Sequence, residues 1–364
     1  MINIDQGYEK VADRWREFWS MSNDERPLIC LTAPKKNAVL PPAPIAPNGV
    51  KERWLDTEFQ VKSVRRGVES TLYLGESFPS YSPNLGPDFV GAVCGCELEF
   101  SPYTSWAEPC IDDYEDFPTI KFDENNKWWK KMCELTQAAL DEAHGDFLVG
   151  ITDLHPGADT IVSLRGAEEA AIDLYAEPEQ FKKRVWEVFD VFKEIASRTY
   201  AMTSTKQKGT TNWMSLLHPD NLWYVTSCDF SYMISPEHFS EFILPELQAE
   251  IDWLPKSVYH LDGIGSLNHL DTLLSIEKLH GIQWVQGVGK GDMVEWLDVL
   301  VKIQKAGKGL QINCGHNEVI TLCEALDPQG VQISTGGLDE DSARALIKET
   351  ERIYKQKRGI FALS

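Results

Sequence analysis

Gly281-Ile-Gln-Trp-Val285, Gly309-Leu-Gln-Ile-Asn313 and Gly330-Val-Gln-Ile-Ser334 are three short, mainly apolar runs, each preceded by a helix-like segment. Runs of this length bounded by turn residues read as buried strands, and their alternation with helices predicts a parallel sheet covered by helices. The alternation begins near residue 146. Phe147-Leu-Val-Gly-Ile-Thr152 reads as one strand and Lys256-Ser-Val-Tyr-His260 as the end of another. Between them Phe181, Val185, Val188, Phe189 and Phe192 form one apolar helical face, with Pro178 near its first position. Ser235-Pro236-Glu237 opens a further helix, with Ser as N-cap and Pro at the first turn, continuing through Phe239, Phe242 and Leu247. Nearer the N-terminus, Val11, Trp15, Phe18 and Trp19 recur at helical spacing, and Pro27-Leu-Ile-Cys-Leu-Thr32 reads as a strand. Residues 34 to 50 hold five prolines and suit an extended loop. Pro79, Pro83, Pro87, Pro102 and Pro109 mark residues 78 to 118 as a folded loop near a site mouth. There is no repeat of fixed period and no low-complexity tract.

The chain has 364 residues, 43% of them hydrophobic, enough for a full core without staples. Barrels commonly run past 250 residues as one unit, so a single domain over 1–364 is expected. Eight cysteines are scattered through the chain, and a protein of this size does not depend on disulfides. No apolar stretch follows a basic start, so no secretory leader is expected, and a reducing cytoplasmic location follows. No window approaches a membrane-spanning length. A formal charge of −21 repels phosphate backbones and anionic membrane surfaces, which argues against nucleic acid or membrane as partner.

Three segments together resemble the uroporphyrinogen decarboxylase superfamily. They are Leu164-Arg-Gly166 with Asp173-Leu174 and Glu177-Pro178-Glu179, then Ser227-Cys-Asp229 leading into Met233-Ile-Ser235-Pro-Glu237-His-Phe239 and Pro245, and Tyr259-His-Leu-Asp-Gly263. The resemblance covers about residues 145 to 355, leaving 1 to 120 as an N-terminal extension with loops that roof the site. It implies a TIM (β/α)8 barrel, and it extends to a branch of zinc-dependent methyltransferases that work with corrinoid proteins. The decarboxylase branch grips a many-carboxylate tetrapyrrole with an Arg-rich N-terminal segment. The comparable stretch here has Arg26 alone, and that branch's essential aspartate falls near Asn84, so tetrapyrrole decarboxylation is disfavoured. The methyltransferase branch holds zinc with a His-x-Cys strand end and a second Cys on the last strand. Here His260 matches, Asp262 replaces the first Cys, and Gln332-Ile-Ser-Thr-Gly-Gly337 has no Cys. The resemblance thus implies an enzyme moving a methyl group from a small polar or cationic substrate, with a corrinoid on a separate partner, since no Asp-x-His-x-x-Gly motif is present. It also allows a homodimer. A lyase, isomerase or hydrolase acting on a carbohydrate-like polyol is the alternative on the same barrel.

Candidate residues follow from the rule that strand C-termini face the site in such folds. His260 and Asp262, two apart on one strand, point to one side and could polarise substrate or hold a metal. Cys314 and His316 share that spacing and complete a metal set of oxygen, nitrogen and sulfur donors. Asp153, His155 and His316 are candidates for proton transfer, and Asp229, before the Ser-Pro-Glu helix, stands where the resemblance implies a polar catalytic-site residue. Asn84, Trp106, Trp213, Trp223, Tyr232 and Trp284 are candidates for a substrate-binding wall. Trp15, Trp19, Trp128, Trp186 and Trp296 read as structural.

Overall fold

The computed structural model describes residues 4–361; the first and last three positions of the one-domain expectation lie outside the described residues. The chain is mixed α/β. Its strands are β1 (Leu28–Pro34), β2 (Thr71–Gly75), β3 (Ser80–Tyr81), β4 (Glu97–Phe100), β5 (Ser105–Glu108), β6 (Leu148–Val149), β7 (Tyr224–Ser227), β8 (Ser257–Asp262), β9 (Gly281–Val285), β10 (Gly309–Asn313) and β11 (Val331–Thr335). The main sheet runs β2-β1-β11-β10-β9-β8-β7, parallel except for β2, which pairs antiparallel with β1. β3 and β6 pair in parallel as a second sheet, and a single bridge joins Ile151 to Asn212. Among the described residues the expected closed barrel is not seen as one continuous ladder: no ladder links β7 to β6 or β3 to β1. Within residues 1 to 120, β1 is an integral strand of the main sheet as well as part of an extension.

The strands from β8 onward fall where the apolar runs predict them, and glycines set their spacing. A Cβ on Gly281 would stand 2.9 Å from the Gly309 carbonyl oxygen, and one on Gly309 would stand 3.1 Å from that of Gly330. Only glycine lets these strand starts approach so closely. Pro178 opens the helix Pro178–Ser204 as expected. Ser235 caps the next helix by accepting the His238 N–H at 3.3 Å. That helix widens into a π-turn at Phe239–Ile243 before continuing as Leu244–Trp253, because Pro245 has no N–H for the carbonyl one turn back. The proline-rich stretch 78 to 118 is more ordered than a loop. It contains a buried helix, Phe89–Cys94, and the β4–β5 hairpin, tied down by Asp88, which accepts the Ala107 N–H at 2.8 Å and the Ser163 hydroxyl at 2.7 Å.

Buried apolar residues from Tyr8 to Tyr354 form one contiguous cluster, in which Trp15, Phe18 and Trp19 of the helix Ile4–Trp19 take part. Arg26 pairs with the buried Glu76 through two contacts of 2.7 and 2.8 Å, and Glu76 also accepts the Ile29 N–H at 2.8 Å. This arginine is committed to the fold. No described helix is long and apolar enough to cross a membrane.

Candidate functional site

The C-terminal ends of β7 and β8, with the chain after β6, bring together His155, Asp159, Asp229, His260 and Asp262. His155 lies between acids. Its Nε2 stands 3.0 Å from an Asp153 oxygen as an ion pair, while Nδ1 is 3.1 Å from the Ser227 hydroxyl and 3.7 Å from Asp159. Burial pushes this imidazole down, but the charges of Asp153 and Asp159 outweigh it and hold His155 well above its ordinary value. That balance favours the charged imidazolium. Asp159, in the first turn of the helix Gly157–Arg165, accepts the backbone N–H groups of Asp229 and Phe230, each at 2.9 Å. Those two bonds pin the chain that leaves β7. Asp229 lies on a concave floor, reached by solvent yet surrounded by protein. Burial and then the Asp159 charge push its carboxyl up, against the opposing pull of His155 and His260.

His260 has a different neighbour. Its Nδ1 bonds the Gln283 side-chain oxygen, and the Gln283 amide donates to Gln311. Gln311 donates at 3.0 Å to Asn313 and at 3.1 Å to Gln332, which in turn donates to Ser334 at 2.8 Å. The four residues are in register across β8 to β11, so the belt follows from strand pairing alone. Every amide nitrogen points away from His260. In that polarity Gln283 accepts from the ring, which favours the tautomer with the proton on Nδ1 and leaves Nε2 free to accept. An Nε2 lone pair is what a metal ion or a substrate proton requires.

Two buried acids lie beneath His155 and Asp159. Glu246 is pushed up to about 8 by burial and then by the Asp159 charge, and Glu250 is pushed well above its ordinary range by burial and then by Glu246. Gly157, at φ +62°, makes room for them: a Cβ there would be 2.5 Å from a Glu246 oxygen. Sequence reading missed Asp159, Ser227, Gln283, Glu246 and Glu250. The Gly-x-Gln spacing shared by 281–283, 309–311 and 330–332 was the available signal for the belt.

Two cavities adjoin these groups. One of 520 Å³ is lined by His155, Asp159, Asp229, Tyr232 and Asp262, and one of 410 Å³ by residues of β1 and of β9 to β11. Trp213 stands between them, stacked against His155 at 6.4 Å between ring centroids and edge-on to His260 at 5.2 Å. A larger groove of 990 Å³, lined by Tyr8, Leu140, His144 and Phe147, lies at the opposite end of the strands and lacks this cluster.

Of the aromatic candidates, Trp213 and Tyr232 line these cavities. Trp223 and Trp284 are fully buried and belong to the core: Trp223 precedes β7, at the end of that strand away from the mouth, and strand parity turns Trp284 to the side opposite Gln283. Trp223 donates to the Thr210 carbonyl at 2.9 Å, and Trp284 packs on Trp296. Trp106 is exposed on the hairpin, its indole N–H on Glu108. Asn84 is exposed and closes a turn by accepting the Gly86 N–H at 2.6 Å. Cys314 packs against the core, where burial pushes its thiol up to about 12, and His316 is exposed near Gly337. Neither joins the metal-capable groups among the described residues, which are His155, Asp159 and Asp229, and then Asp229, His260 and Asp262. Within each group the donor atoms lie within 4.8 Å of one another. In the first, both His155 nitrogens already face partners; in the second, His260 keeps a free lone pair. The second donor set, one imidazole and two carboxylates, fits a divalent ion such as zinc and lacks the thiolates that soft-metal chemistry uses.

No protein family and no curated protein sequence matches the chain. Among solved structures the chain is similar to a methyltransferase from Methanosarcina mazei, with a TM-score of 0.55 and 12% identity over 86% of this chain and 94% of that one. At that identity the likeness is one of fold: a parallel sheet with covering helices, carried over nearly the whole length of both chains.

Proposed function

We propose that this chain is a one-domain enzyme with a methyltransferase-like reaction at the C-terminal ends of its strands. In this reading β1, β3 and β6 to β11 are the eight strands of a (β/α)8 barrel. The observation that carries the proposal is the division of labour between two histidines: His155 as a partnered cation, and His260 held with a free lone pair beside Asp229 and Asp262. Neighbours that set one imidazole between two acids and leave a ring nitrogen of the other unpartnered suit a proton carrier and a ligand respectively. His260, Asp229 and Asp262 would hold a divalent ion, which when bound supplies Lewis acidity toward a substrate heteroatom. The acidic lining favours a small polar or cationic methylated substrate, with Tyr232 and Trp213 offering aromatic faces to it. When methyl leaves, the bonding pair stays on the heteroatom, and a proton would reach it from His155 by way of Asp159 or the Ser227 hydroxyl that its ring faces. The acceptor in this reading is a corrinoid on a separate protein. A second reading, a lyase or isomerase acting on a polyol, is favoured by the uncharged 410 Å³ cavity beside the site.

Metal content of the purified protein tests the first reading. Near-stoichiometric zinc or another divalent ion, lost in His260→Ala and Asp229→Asn, is expected. A metal-free protein whose melting temperature does not respond to added zinc would remove the metal from the mechanism.

A further inference from the structure

The 410 Å³ cavity differs in kind from its neighbour. Its lining contains no Asp, Glu, Lys, Arg or His. The titratable groups it does contain stay neutral: burial pushes the Cys30 thiol up to about 12 and raises the Tyr73 phenol. By contrast, the cavities of 990, 520 and 350 Å³ all carry charged side chains. An ion entering the uncharged cavity would lose its hydration without gaining a counter-charge. An uncharged ligand bearing many hydrogen-bonding groups would meet no such penalty.

The polar groups on this wall are fixed in advance. Gln283 and Gln311 are 2% and 1% exposed and bonded to one another, so the Gln283 amide cannot rotate freely. Asn313 gives its carbonyl oxygen to Gln311, which leaves its NH2 as a donor, and Ser334 accepts from Gln332, which leaves its hydroxyl proton as another. Thr32 and Ser80 contribute hydroxyls from β1 and β3. The rings of Trp213, Phe78 and Tyr73 line the same cavity. Oriented neutral donors and acceptors together with aromatic surface match a ring with hydroxyls on its edge and C–H groups on its face. The volume lies within the range of about 300–1,000 Å³ usual for small-molecule sites.

We infer that this cavity is a binding subsite for an uncharged polyhydroxylated moiety, a sugar or cyclitol ring, held against Trp213 so that its edge faces the His155 and His260 half of the mouth. The inference goes beyond methyl transfer and holds whichever reaction runs there, since it concerns binding alone.

The test is calorimetric titration of the wild-type protein with methyl β-D-glucopyranoside, methyl β-D-galactopyranoside and myo-inositol, with Trp fluorescence as a parallel readout. At least one ligand is expected to saturate, with an affinity insensitive to salt because no charges meet. Asn313→Leu should weaken it by about tenfold, the effect of losing one or two hydrogen bonds, and Ser334→Ala by less. Thermal melting checks that each variant is folded, with Ser80→Ala in reserve should Asn313→Leu not fold. Absence of saturable binding by all three probes overturns the assignment. So does binding that ignores every folded cavity variant, or binding that weakens steeply with salt. Because no metal or turnover enters the measurement, its failure is separable from failure of the proposed reaction.

Discussion

The mouth of this protein has two halves, built by different means. On the β7 and β8 side, charge is assembled from loops and a helix start: Asp153, His155 and Asp159 follow β6, and Asp229 follows β7. On the β9 to β11 side, neutral amides are placed by strand register: Gln283 on β9, Gln311 and Asn313 on β10, and Gln332 on β11. Loop-built charge needs compensation, and His155 between Asp153 and Asp159, with the two backbone N–H groups bonded to Asp159, supplies it. The amide belt needs none, because each member satisfies the next. His155 and His260 therefore sit in different environments on either side of a shared Trp213, and the difference comes from their neighbours.

The sharpest way to break this contrast is His155→Gln. Loss of a proton donor should lower kcat by about 10²–10⁴-fold while bound metal stays at the wild-type level. Metal loss in this variant, read by elemental analysis, would show the two histidines acting as one site. Next in size, Gln283→Leu removes the acceptor that fixes the His260 tautomer and should weaken metal binding by about 10–100-fold in a chelator competition, with Gln283→Glu, which still accepts from Nδ1, recovering most of it.

The third effect concerns pH. The folded state keeps a proton on Glu246 up to about 8, whereas the unfolded chain releases it near the ordinary value of 4.5. Between those values the native state binds more protons, so stability falls as pH rises. His155 adds a term of the same sign, complete below its unfolded value of about 6.5 and lost as pH climbs through its raised folded value. Glu246→Gln should therefore gain a few degrees of melting temperature over wild type at the alkaline end of the window and nothing at the acidic end. A parallel pair of melting curves would show that Glu246 is ionised in the fold. The smallest effect is Trp106→Ala, expected to change stability by no more than about 0.5 kcal/mol and to leave turnover unchanged.

The strands were legible because buried parallel strands are near-continuous apolar runs between turn residues, and Pro178 and Ser235 announced their helices through backbone chemistry that holds anywhere. The site was only half legible. His260, Asp262, His155 and Asp153, named from strand ends, and Asp229, named from the family resemblance, stand close together, but Glu246 and Glu250 lie on a helix whose apolar spacing gives no hint of acids turned inward. The tryptophans were misjudged for a related reason. When both faces of a sheet are covered, Gln283 and Trp284 are equally buried, and polarity does not say which faces the mouth. Register does: Gln283 shares parity with His260, and Trp284 with Leu261. Cys314 was judged by its spacing from His316, which ignores the turn that carries His316 away to the surface.

The missing ladder between β6 and β7 has a dynamic consequence. Where other neighbouring strands share several backbone bonds, these meet through Tyr224, whose hydroxyl donates to the Thr152 carbonyl at 2.5 Å, and through Ser227 against His155. Side chains are thus the stitches of this seam, and His155 is one of them. Under the proposed reaction, proton loss from His155 would weaken one of those stitches and so link the chemistry to the closure of the mouth.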